Sequence, residues 1–67
     1  MYAVIRIQTS LFIVLKYAIR RETYLTDSLN NLKRTYPSCD VRVIARGLSH
    51  ERATDLVRSM ECLLKGR

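Results

Sequence analysis

The apolar residues of this chain change their spacing three times, and those changes limit the folds open to it. From Tyr2 to Gln8 they alternate, with Ala3, Ile5 and Ile7 on one side. A period of two marks a strand with one face turned to a core. Residues 11–20 continue in β-forming types, and the odd positions Ile13, Leu15, Tyr17 and Ile19 are all apolar. They read as a second strand, hairpin-paired to the first, with a helix from Ser10 as the alternative because short apolar runs suit both. Leu25, Leu29, Leu32 and Tyr36 then recur at spacings of four, three and four, the helical period. Thr26 or Asp27 is placed to cap that helix. Pro37 ends it, since a proline pushes the residue before it out of helical geometry.

Alternation returns at Val41, Val43 and Ala45, which predicts a third strand over 41–46 stopped by Gly47. A second helix follows, with Ser49 as its cap and Glu51 in the first turn, where the helix dipole favours an anion. Ala53, Leu56, Val57, Met60, Leu63 and Leu64 form its apolar stripe, and Lys65 with Gly66 closes it. The order β-β-α-β-α predicts an α+β domain, a three-stranded sheet with two helices packed on one face. A chain of 67 residues gains only roughly 3–5 kcal/mol from one core, so residues 1–67 are expected to form a single domain.

The charge is what constrains function. Lys and Arg number 12 against 6 Asp and Glu, a net charge of +6. Such a surface attracts nucleic acid, another polyanion or an acidic protein partner. Arginine dominates the basic set, and guanidinium suits paired contacts to phosphate better than ammonium does. Several chemistries are not expected. Cys39 and Cys62 form no Cys-x-x-Cys pair, and His50 is the single histidine, so neither a metal site nor a cofactor is predicted. His50-Glu51 reads as first-turn capping and dipole chemistry rather than an acid–base pair. The apolar run from Leu11 to Ile19 contains Lys16 and is too short to cross a bilayer, so no membrane partner is expected. No signal-peptide pattern is read at the start, and a reducing cytoplasm is the expected compartment.

If the odd residues of the first two strands meet the helices, the even ones form the opposite face. That face would hold Arg6, Lys16, Arg20, Arg42 and Arg46 among Val4, Phe12, Val14 and Ile44. Two uses follow. The basic groups, joined by Arg34, would hold phosphates while aromatic side chains stack on bases. Alternatively, the apolar set would pack against a symmetry mate to give a homodimer.

The middle and end of the chain also resemble the GIY-YIG nuclease domain. Tyr24-Leu25-Thr26 stands at the second motif, and Arg34, ten residues after the tyrosine, stands where the family carries its catalytic arginine. Val41-Arg42-Val43-Ile44, then Gly47-Leu48-Ser49, Glu51 and Ala53, are similar to the family's third strand and next helix. The resemblance implies a β-β-α-β-α core. It departs from the family at the first motif, of which Tyr2-Ala3-Val4 is at most a remnant, and at Thr26, which replaces a glycine. Val57 stands at the metal-binding glutamate, with Glu61 four residues late. Without that carboxylate the metal-assisted chemistry lacks its ligand, and no catalytic residue is assigned. The expectation is a non-enzymatic basic module that binds nucleic acid with low sequence specificity. The alternative is a small regulator or inhibitor of an acidic protein, working as a dimer.

Overall fold

The computed structural model describes residues 1–11 and 13–65. Phe12 and Gly66 lie outside them, and with them the roles expected of each. The elements are β1 (Tyr2–Gln8), β2 (Val14–Arg21), a 3-10 turn (Glu22–Tyr24), α1 (Leu25–Thr35), β3 (Asp40–Leu48) and α2 (His50–Lys65). The sheet runs β2-β1-β3 with both pairs antiparallel. The α+β class and the element order are those expected from the sequence. Of the expected second strand, Val14 onward is strand, while Leu11 and Ile13 belong to the β1–β2 connection.

The hairpin register departs from the expected grouping of faces. Cross-strand partners share a face, and Ile5 lies opposite Ala18 and Val43, while Ile7 lies opposite Lys16 and Val41. Odd residues of β1 therefore sit with even residues of β2, because the register joins one parity to the other. Ile5, Ile7, Ala18 and Val41 form the main core with Leu32 of α1, and Leu25, Leu29 and Tyr36 pack against it. The helical spacing of those four residues thus becomes the contact face of α1.

The two helices divide between the two faces of the sheet, which corrects the one-face packing. Tyr2 and Val4 point away from Ile5, and the Tyr2 ring meets His50 of α2 edge-on at 5.0 Å between centroids. Val4 and Ala53 are both fully buried, yet neither belongs to the core around Ile5. α2 therefore covers Val4 from the other side. The uninterrupted run Ala3-Val4-Ile5 is what a strand buried on both faces looks like in sequence.

Two irregularities in β3 adjust its fit to β1. The register shifts between Val4 and Ile5 and again between Tyr2 and Val4. Each shift leaves an extra residue on β3, so the strand bulges. Gly47 has φ of 69°, a left-handed conformation that glycine adopts without the penalty a side chain brings. The strand continues through it to Leu48, so Gly47 bends β3 rather than ending it.

The caps behave differently at the two helices. α1 starts at Leu25 with no side-chain cap, because the 3-10 turn leads directly into it. Thr26 and Asp27 thus lie inside the helix, Asp27 still in its first turn. At α2 the Arg52 amide donates to Ser49 Oγ at 3.2 Å, the N-cap bond expected. Ser49→Ala is expected to lower stability by about 1 kcal/mol, read as a lower urea midpoint with unchanged slope. Ala53 is buried and Leu56, Val57 and Met60 are half-buried, but Leu63 is 74% exposed. At about 100° per residue, Leu63 stands roughly 80° from Ala53, at the margin of the stripe rather than within it.

Candidate nucleic-acid interface

Topology sorts the charges along the strand axis. β1 and β2 meet through the 9–13 connection at one end of the sheet, and β3 starts there, since Asp40 pairs with Gln8. α1 begins after Arg21, opposite Tyr2, and must end near Asp40. It therefore carries Lys33 and Arg34 of its last turn to the hairpin end. The opposite end receives Glu22, whose amide donates to the Met1 carbonyl at 3.1 Å. Asp27 and Glu51, in the first turns of α1 and α2, also lie there. Carboxylates thus offset the arginines at the Tyr2 end, while the hairpin end keeps an excess of positive charge.

The expected basic face separates accordingly. Arg6 and Arg42 are directly opposite each other on adjacent strands, and Tyr17 flanks Arg6 on its other side. All three lie on the α2 side. Lys16, opposite Ile7, and Arg20, opposite Ala3, lie on the α1 side instead. Lys16 is near the hairpin end with Lys33 and Arg34, whereas Arg20 is at the Tyr2 end. Arg46 is there too, its Nε 3.3 Å from Glu22 Oε1. The six sequence candidates therefore do not form one patch. Arg6, Arg42, Lys16 and Arg34 share the hairpin end on two sides of the sheet, and Arg20 and Arg46 are remote from them.

Electrostatics sharpens the contrast. Among the described residues only Arg42 and Arg46 meet a carboxylate. Arg42 Nε stands 2.7 Å from Asp40 Oδ2, with side chains 68% and 47% exposed, so the pair contributes little against solvent. Arg6 faces Arg42 without a carboxylate of its own. Like charges directly opposite in a sheet repel, and an anion bridging them would remove that cost.

Among the described residues, Val4, Val14 and Ile44 do not make one open apolar face. Val4 is fully buried beneath α2 and is closed to a second copy. Val14 is on one edge strand opposite Gln8, and Ile44 is on the other edge strand at a bulge. Val14 stays on the side of Val4 by its register with Gln8, but the burial of Val4 under α2 leaves no continuous apolar surface between the two edge strands.

Some contacts were not anticipated from the sequence. Tyr2 is bracketed by His50 and by Arg21, whose Nε donates to the Tyr2 hydroxyl at 3.2 Å and whose guanidinium carbon lies 5.8 Å from the ring centroid. Tyr17, taken for core, stands beside Arg6. The Tyr2–Arg21 and Arg6–Tyr17 neighbours follow from the β1–β2 register, which no local pattern displays. Tyr24 is 60% exposed in the 3-10 turn, and α1 carries Arg34 away from it. At ~1.5 Å per residue the two backbones stand roughly 15 Å apart.

No group of three or more His, Cys, Asp or Glu side chains that would hold a metal occurs among the described residues. Within them, no helix is long and apolar enough to cross a membrane. The chain matches no known protein family, and no curated protein or solved structure is significantly similar to it. The GIY-YIG resemblance accordingly rests on the residues quoted for it alone.

Proposed function

We propose that this domain binds nucleic acid through its phosphate backbone, using the hairpin end of the sheet. The observation that supports the reading is the Arg6–Arg42 pair, two arginines at directly opposite positions on neighbouring strands, with Asp40 on the Arg42 side alone. Folding spends about 0.2–1 kcal/mol on such a like-charge pair, and a bridging phosphate reverses the sign of that interaction. Tyr17 beside Arg6 adds an aromatic surface of the kind on which bases stack. Lys16, Lys33 and Arg34 extend the positive field around the same end, so a strand passing there meets cations on either side of the sheet. Contacts of this kind read the backbone and carry little sequence information.

Fluorescence anisotropy with labelled single- and double-stranded oligonucleotides at two salt concentrations tests the reading. Binding is expected to weaken steeply with salt. Arg42→Ala is expected to lower affinity for every sequence alike and to reduce the salt slope by about one. Arg20→Ala, at the other end of the sheet, is expected to change both far less. Absence of binding at low salt would end this reading and turn attention to an acidic protein partner.

A further inference from the structure

The two edges of the sheet differ in their fitness to accept another strand. β3 carries two register shifts against β1, so its outer side is kinked. β2 is regular from Lys16 to Arg21, where every pair with β1 is in step. Its open groups follow from one bond. The Glu22 amide donates to the Met1 carbonyl at 3.1 Å, which continues the register one pair beyond Tyr2 and Arg21. Bonded and non-bonded pairs alternate in an antiparallel ladder, so Ala3 with Arg20, Ile5 with Ala18 and Ile7 with Lys16 are the bonded ones. Tyr17, Ile19 and Arg21 therefore turn their amides and carbonyls away from β1. Among the described residues no strand lies beyond β2 to meet them. The Ile19 carbonyl is met instead by a neighbouring side chain, the Arg20 guanidinium donating at 2.9 Å.

An open ladder selects the shape of its partner. An extended peptide supplies a matching row of donors and acceptors, which a phosphate backbone or a lipid headgroup does not. The side chains select its charge. Lys16, Arg20 and Arg21 are exposed, and residues 14–21 hold no carboxylate. A second copy is disfavoured on that account. Two-fold pairing centred on Ala18 sets Lys16 of each chain opposite Arg20 of the other, and pairing centred on Ile19 makes the two Arg20 residues diagonal neighbours. Cations meet cations either way, the usual protection of an edge against its own kind. Nor has the chain an acidic strand to offer: its 6 Asp and Glu stand singly, and Asp40 is the one carboxylate in its strands. We infer that the β2 edge takes an extended acidic segment of a partner protein as a fourth strand. Its backbone bonds to Tyr17, Ile19 and Arg21, and its carboxylates stand beside Lys16 and Arg20. An incoming amide replaces the Arg20 guanidinium on the Ile19 carbonyl and frees that guanidinium for a carboxylate. This surface is independent of the hairpin-end reading, with which it shares Lys16 and the position of Tyr17.

The probe is a peptide of alternating valine and glutamate, titrated into isotope-labelled protein with amide shifts and hydrogen exchange followed by NMR. One control peptide has lysine in place of glutamate. The other is the glutamate peptide N-methylated at every residue, which removes the ladder donors and keeps the charge. The glutamate peptide is expected to shift the amides of Tyr17, Ile19 and Arg21 and to slow their exchange. The methylated one is expected to bind roughly tenfold weaker or less, since several backbone bonds are lost, and to slow none of them. The double variant Lys16→Glu with Arg20→Glu changes only exposed side chains and should keep the circular dichroism of the parent. It should lose the glutamate peptide and take the lysine peptide instead. Equal affinity for the methylated and unmethylated glutamate peptides would overturn the fourth strand and leave charge attraction alone. No binding of the glutamate peptide at low salt would overturn it as well. Slow exchange of those three amides in the free protein, lost on dilution, would also overturn it and assign the edge to a second copy.

Discussion

Ile5→Ala is expected to leave the domain largely unfolded at room temperature. Ile5 is fully buried, central in the middle strand and opposite both Ala18 and Val43. Truncating a buried isoleucine costs about 2–5 kcal/mol, through lost transfer energy and the cavity left behind. A single core of this size supplies only roughly 3–5 kcal/mol, so one substitution removes most of the margin. Circular dichroism during urea titration is the measurement. A midpoint close to that of the parent would mean that the core around Leu32 is not what holds the domain together. Ala18 and Val41 are small, and neither has the volume to close the gap.

Arg6→Glu is expected to separate folding from binding. The new carboxylate would face Arg42, replacing a repulsive pair with an attractive one, and stability should hold or rise by about 0.2–1 kcal/mol. Nucleic-acid affinity should fall by roughly tenfold or more at moderate salt, because one phosphate contact is lost and a repulsive charge is placed beside the remaining ones. Thermal melts and anisotropy on the same preparations would show both effects. A fall in stability accompanied by unchanged affinity would place Arg6 in the fold and remove it from the interface.

Much of the fold was legible because the local signals agree. The apolar spacing of Leu25, Leu29, Leu32 and Tyr36 marks the packed face of α1, and Ser49 marks the start of α2. What was not legible is how the strands meet. Periodicity shows which residues of one strand share a face and says nothing about which parity of the next strand joins them; the turn and its irregularity at Ile7/Gln8 decide that. That unread register moved Lys16 and Arg20 across the sheet from Arg6, and the packing of α2 on the other face buried Val4. The glycine signal was misread for a related reason. Gly47 is a break in local propensity, but its partner strand tolerates a bulge there, so pairing resumes at Leu48. The candidate site was legible as composition, a surplus of arginine, and not as geometry.

The place of β1 between its partners has a consequence for how the domain comes into being. β1 is made before the strands on either side of it, yet only β2 can join it early, through a short turn. A lone two-stranded hairpin is marginal in water. Its second partner, β3, emerges only after α1, and α2 covers Val4 later still. Until then Val4, Ile5 and Ile7 have no complete shelter during synthesis, and the nascent chain must carry an apolar strand through the making of the rest. Native order should then arrive in one cooperative step when β3 closes the sheet, rather than accumulating from the N-terminal side.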